Sequence, residues 1–310
     1  MKRFIKMLVL FGLILGGLSV LTDCFISYRL RHSQSREFKA WGDIYLNELH
    51  NDVLISGGSR AWVQYDPMVL DSVLGCNAWN IGIDGSSINR QIIRYNTYCR
   101  VQGHAPKLLI QNIDFATIGF TQDLEREQFF PFFFYDRQLM RDADKYEQFS
   151  WTERFIPCFR YYGYRDVIMS AITGKSLGND LLAKGFYGRD LTWDGALFEQ
   201  MDTISVADNP DALALFDGFI CDVKESGTNV VFVYAPIYYG VTEKIPDIDH
   251  MYSMFGSIAE KHGIPVLDYN NDTICFSQKY FYNATHLNRT GAKIFSHQLA
   301  TDIDSLGLYR

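Results

Sequence analysis

The chain has no excess of positive charge. Its 29 Lys and Arg face 36 Asp and Glu, which leaves a net charge of −7. The basic patch or stripe that nucleic-acid binding requires is missing, so no nucleic-acid partner is expected. The six cysteines, Cys24, Cys76, Cys99, Cys158, Cys221 and Cys275, show no paired spacing. No C-x-x-C and no His/Cys cluster marks a metal site. The thiols read as small buried apolar groups, and neither a metal nor an organic cofactor is expected. There is no internal repeat and no low-complexity tract, which excludes a solenoid or a fibrous chain.

What is present is a globular composition of 47% hydrophobic and 21% charged residues over 310 positions. That suits one large α/β domain, with or without an insertion, or two small ones. The N-terminus, MKRFIKMLVLFGLILGGLSVLTDC, places Lys2, Arg3 and Lys6 before an apolar run from Met7 to Thr22. That run of about 16 residues is just short of the roughly 17–25 that span a bilayer. It also overlaps the length of a signal-peptide core, but no A-x-A cleavage site follows. An uncleaved signal anchor over residues 1–24 is the expectation, with a cleaved signal peptide as the alternative. Either places the rest of the chain outside the cytoplasm, in the periplasm or at the cell surface.

Residues 25–50 read as a polar helical stalk. From residue 51 strand-like and helix-like segments alternate. Strands are predicted at Val53–Ser56, Ala78–Ile81, Lys107–Gln111, Asn229–Tyr234 and Pro265–Asp268. Helices are predicted at Pro67–Leu74, Ser87–Val101, Ala212–Glu225, Tyr252–His262 and Asn288–Leu306. In the last of these, Ala292, Phe295, Leu299 and Ile303 form an apolar stripe at helical period. Short Val/Ile/Leu-rich strands alternating with helices imply a parallel sheet covered on both faces. The expected fold of residues 51–310 is therefore a doubly wound, flavodoxin-like three-layer α/β/α domain with about five strands. The alternation stops between about 115 and 209, where FFPFFFYDR and RFIPCFRYYGYRD are rich in aromatics. A structureless loop of that length is unusual, so helices are expected there. This insertion is either a packed subdomain or a lid over the active edge.

In an open parallel sheet, ligands bind at the carboxyl ends of the strands. There the sequence places Ser59 after strand one (SGGSRAW), Gly82 after strand two (NIGIDGSS) and Asn112 after strand three (LLIQNID). His286 precedes the last helix, in FYNATHLNRTGAKIF. These are the parts of an acyl-transfer site. A serine hydroxyl needs a base to become nucleophilic, and neutral imidazole serves at neutral pH. The oxyanion needs donors aimed in advance, which the Ser59 and Gly82 N–H groups and the Asn112 amide would supply. Each residue also has a plainer use: Ser59 and His286 as helix caps, Gly82 and Asn112 as turn residues. Arg60 either binds an anionic substrate group or forms a structural ion pair.

The order of these blocks resembles the SGNH (GDSL-like) hydrolase superfamily, at positions Ser59, Gly82, Asn112 and His286. HLNRTGAKIF and VVFVYAPIY look like its membrane-anchored branch, which includes alginate O-acetylation factors and teichoic-acid D-alanylation proteins. Two departures stand out. Gly57-Gly58-Ser59-Arg60 replaces Gly-Asp-Ser, and Asn283 occupies the position of the family's triad aspartate. Another carboxylate (Asp268 or Asp272), a dyad with a carbonyl, or an inactive site would each accommodate the second. An α/β-hydrolase fits less well, because Ala61 breaks Gly-x-Ser-x-Gly and only one strand precedes Ser59. The resemblance implies a membrane-anchored serine esterase or O-acyltransferase acting on ester-linked acyl groups of an envelope glycan or lipid, with a membrane acyl-donor protein as its partner. The alternative is a catalytically silent glycan-binding or scaffold protein of an envelope assembly.

Overall fold

The computed structural model describes residues 1–85, 87–118, 125–146, 149–173, 181–195, 198–206 and 209–309. The chain divides into two compact units, one of residues 1–46 with 122–177 and one of 47–121 with 178–310. It begins with α1 (Lys2–Arg31) and α2 (Arg36–Leu46). Next come β1 (Val53–Ser56), α3 (Ser59–Gln64), α4 (Pro67–Leu74), β2 (Ala78–Asn80), α5 (Ile88–Gln102) and β3 (Leu108–Asn112). The middle of the chain holds α6 (Arg137–Ala143), α7 (Trp151–Phe155), α8 (Arg165–Thr173), β4 (Leu181–Ala183) and β5 (Phe186–Gly188). The remainder comprises α9 (Pro210–Glu225), β6 (Asn229–Tyr234), α10 (Tyr239–Thr242), α11 (Ile248–His262), β7 (Val266–Asp268), β8 (Phe281–Asn283), β9 (His286–Leu287) and α12 (Arg289–Ser305).

The larger unit is a three-layer α/β/α sandwich. Its sheet is parallel throughout, with order β2-β1-β3-β6-β7. β1 and β3 are buried at every residue and apolar over most of their length, because both faces are covered. One helical layer is α3, α4 and α12, and the other is α5, α9 and α11. The chain leaves β1 toward β2 on one side and returns as β3 on the other. The crevice at the carboxyl ends of β1 and β3 is thus the topological switch point, where this strand order places ligands.

Local chemistry sets the helix ends. Asp66 caps α4 through Met68 N–H, with Pro67 at the first helical position, and Gly75 ends it at φ 62°. Asn209 and Asn288 cap α9 and α12 through the N–H groups of Ala212 and Gly291. The predicted strands and helices match these elements to within a few residues at their ends.

The 115–209 insertion is split between the two units. Its end, from 178, falls in the unit of the sheet, where β4 and β5 pair as an antiparallel hairpin, whereas 122–177 fall in the unit of α1 and α2. Polar hooks make the smaller unit cohere. Trp41 Nε1 donates to Gln128 Oε1 at 2.9 Å, and Tyr45 OH donates to Asp136 Oδ2 at 2.7 Å. Buried Arg160 pairs with buried Asp23 of α1. Among the described residues, α1 is the helix long and apolar enough to cross a membrane.

Candidate active site

β1 ends in Ser56, and the next two glycines turn the chain into α3. Gly57 sits at φ 152°, and a Cβ there would lie 2.7 Å from Ala61 Cβ and 2.9 Å from Asn112 Cβ. Only glycine lets the end of β1 pass this close to β3. The helix cap is Gly58, with no side-chain capping bond, so the Ser59 hydroxyl is not spent on capping. Instead Ser59 Oγ lies 2.8 Å from His286 Nε2.

His286 arrives on the β8–β9 hairpin, whose register sets Asn283 directly opposite it. Asn288 ties this hairpin down by donating its amide N–H to the carbonyl oxygens of Lys279 and Phe281. His286 Nδ1 lies 2.9 Å from Asn283 Oδ1 and 3.0 Å from Thr285 Oγ1. The orientation of the Asn283 amide follows from its other partners. Thr285 N–H and the Thr285 hydroxyl both donate to Oδ1, at 3.0 and 3.3 Å. A flipped amide would point its NH2 at a backbone N–H. Oδ1 therefore faces Nδ1, which carries the proton, and the Nε2 lone pair faces Ser59. Asn283 fixes the orientation of the ring and brings no charge to it. Asp268 and Asp272 do not replace it, since they accept the N–H groups of Asn270 and Ile274.

The ring is electrostatically strained toward neutrality. Burial first, then the positive charges of Arg60 and Arg189, push its pKa from 6.5 down to about 3. At neutral pH His286 is a neutral acceptor, ready to take a proton but poorly supported once it has one.

Two expected oxyanion donors are corrected, and of the two uses open to Arg60 the ion pair is the one formed. The Gly82 N–H is already donated to Asn80 Oδ1 at 2.8 Å, so it is not aimed at an oxyanion. Gly82 matters sterically, because a Cβ would lie 2.7 Å from Trp62 N and 2.9 Å from Ala61 Cβ. Asn112 is fully buried; its Oδ1 accepts from Tyr65 OH at 2.8 Å and its Nδ2 donates to Asp114 Oδ2 at 2.9 Å. Arg60 is not presented to substrate. It is buried, donates to the Ala235 carbonyl and lies 3.8 Å from Asp114 Oδ2. Of the expected oxyanion donors, the Ser59 N–H remains, in the first turn of α3 where backbone donors have no intrahelical acceptor.

Other residues around the site were not anticipated. Asn80 staples α3 by donating to the carbonyl oxygens of Ala61 and Tyr65 at 2.7 and 3.0 Å. The β4–β5 hairpin turns at Lys184 (φ 50°) and Gly185 (φ 82°), and Lys184 O accepts from Asn80 N–H at 2.9 Å. It stacks Tyr187 on Trp62 with ring centroids 4.7 Å apart. The Arg189 guanidinium lies 4.9 Å from the Tyr282 centroid, and Tyr282 stacks on His286 at 5.4 Å. The signal for the hairpin was LLA-KG-FYG, two short apolar runs joined by a residue-glycine turn. Arg189 itself had none.

No family model and no curated protein matches the chain. Among solved structures, a candidate acylhydrolase from Bacteroides fragilis is similar at 12% identity and TM-score 0.42, over 82% of this chain and 86% of its own. A candidate lipolytic protein of the G-D-S-L family from Desulfitobacterium hafniense is similar at 11% identity and TM-score 0.40, over 81% of this chain and 99% of its own.

Proposed function

We propose that the protein is a membrane-anchored SGNH-type serine esterase or O-acyltransferase. One observation carries this reading: Ser59 Oγ sits 2.8 Å from a His286 ring nitrogen whose opposite nitrogen is held by Asn283 Oδ1 at 2.9 Å. Ser59 Oγ attacks the ester carbonyl carbon, and its proton passes to Nε2. The tetrahedral oxyanion is met by the Ser59 N–H. As the bond to the alcohol oxygen breaks, Nε2 returns the proton to that oxygen, leaving acyl-Ser59. Water or a sugar hydroxyl then attacks the acyl-enzyme and gives its proton to Nε2. Nε2 passes it to Ser59 Oγ as the acyl–oxygen bond breaks, releasing the acid or the new ester and restoring free Ser59 and neutral His286. The resemblance of the sequence blocks to the envelope-modifying branch favours an acylated glycan or lipid as substrate. With α1 as anchor, the catalytic unit would work outside the cytoplasm, beside a membrane acyl donor. In the full-length protein a fluorophosphonate probe should label the wild type, and Ser59→Ala should abolish labelling. Labelling that persists in the variant removes Ser59 as nucleophile.

The silent, glycan-binding reading has two observations in its favour. Among the described residues no carboxylate faces Nδ1, and the lowered His286 pKa makes the imidazolium costly. Aryl-acetate hydrolysis separates the two readings. No turnover by the wild type, and none gained by Asn283→Asp, would favour the binding protein.

A further inference from the structure

The unit of residues 1–46 and 122–177 determines how far α1 is free to enter a bilayer. Residues 1–18 are exposed without exception. Ser19 is the first half-buried residue, and Asp23, Ser27 and Leu30 are buried, all on one helical face. Cys158 sets the height of the covering segment. Its Sγ lies 3.5 Å from Ser19 O, and its N–H donates to Asp23 Oδ2 at 2.7 Å. Arg160 neutralises the Asp23 carboxylate, and the Ser27 hydroxyl lies 2.7 Å from Tyr161 OH. A carboxylate at the end of an apolar span is thereby paired.

The uncharged stretch of α1 is shorter than the helix itself, which is long enough to cross a membrane. At 1.5 Å per residue, Met7 to Thr22 covers about 24 Å, against roughly 30 Å of hydrocarbon core. Ser19 lies about 6 Å of helix rise on the membrane side of Asp23. The Cys158 segment therefore meets α1 between Ser19 and Asp23, where the uncharged stretch ends. Around that segment stand exposed aromatic side chains: Trp151 and Phe155 each 66% exposed, Phe159 43%, Tyr162 84% and Phe134 63%. Ring contacts join Trp151 to Phe155 and Phe159 to Tyr162, and the Arg160 guanidinium lies 5.0 Å from the Phe134 centroid. Water-facing surfaces rarely cluster large apolar groups in this way, whereas aromatic belts mark bilayer interfaces.

We propose that this collar inserts into the headgroup–acyl boundary of a phospholipid bilayer, around the end of the uncharged stretch of α1. The proposal rests on the reading of α1 as an anchor. To test it, the full-length chain is reconstituted into phosphatidylcholine–phosphatidylglycerol vesicles whose lipids carry bromine near the carboxyl end of the acyl chains. Vesicle flotation is measured together with tryptophan emission. Bromolipid should quench the wild type, and Trp151→Phe should remove most of the quenched component. Bromine near the terminal methyl should quench less. Equal quenching of wild type and Trp151→Phe in vesicles that float with protein overturns the collar and leaves the anchor standing. Failure to float overturns both.

Discussion

Asn283→Asp adds a single charge at an atom whose surroundings are defined. The carboxylate oxygen would inherit the partners of Oδ1: His286 Nδ1 at 2.9 Å, Thr285 N–H at 3.0 Å and the Thr285 hydroxyl at 3.3 Å. No volume changes, so the hairpin should keep its register. A unit charge about 4 Å from the imidazolium, at the effective dielectric constant of about 20 that suits such sites, is worth about 4 kcal/mol. That is about a thousandfold in proton affinity, enough to bring His286 from about 3 back toward the ordinary imidazole range. In serine-protease triads the reverse change costs about 10⁴ in turnover, largely through the wrong tautomer. Here the tautomer is already correct, so the gain should be confined to charge, about 10²- to 10³-fold in kcat/KM for aryl acetates. The pH profile should gain an acidic limb near neutrality that the wild type lacks. An unchanged or lower rate, with the variant's Tm preserved, would refute the argument that Asn283 orients the base without charging its surroundings.

The same lowered pKa predicts a stability profile. Folded His286 stays neutral while the unfolded ring takes a proton below 6.5, so its contribution is intact above that pH and is lost as pH falls toward about 3. Denaturant titrations across that window should show the loss in the wild type and less of it in Asn283→Asp. Arg60→Met should remove the cation beside buried Asp114 and the donor to the Ala235 carbonyl, lowering Tm with KM unchanged. The loss should stay below that of a fully orphaned buried ion, about 3–5 kcal/mol, because Asn112 Nδ2 and Thr117 Oγ1 still donate to the carboxylate. A raised KM at unchanged Tm would return Arg60 to a substrate-binding role. Gly185→Ala combines a left-handed φ with a Cβ only 1.8 Å from Asn80 O. It should cost more than the roughly 1–3 kcal/mol of backbone strain alone and undock the hairpin. A crystal structure of the variant with Tyr187 still stacked on Trp62 would contradict that.

The sheet was legible because its strands are short apolar runs between helices with strong caps. Val53–Ser56, Pro67–Leu74 and Asn229–Tyr234 carry their boundaries in their own residues. Ser59 and His286 were legible as a pair because the alternation of strands and helices put both at the carboxyl edge of the sheet. The use of individual hydrogens was not. The Gly82 N–H and the Asn112 amide look available in the sequence, yet Asn80 and Asp114, each two residues away, take them. The orientation of Asn283 depends on the N–H of Thr285, which no residue pattern announces. The division of the insertion was equally hidden, because the partner of Arg160 is Asp23, more than a hundred positions earlier.

That Asp23–Arg160 pair has a practical consequence for anyone trimming the chain. The two side chains are 2% and 0% exposed. Any proteolytic or recombinant product that starts at Cys24 or later discards the anion and keeps the guanidinium, which lies beside the rings of Phe133, Phe134 and Tyr161. Orphaning a buried partner costs about 3–5 kcal/mol, a large part of what holds a typical fold together. The N-terminal helix is thus a structural member of its unit and cannot be exchanged for an arbitrary hydrophobic leader without also carrying Ser19, Asp23 and Ser27.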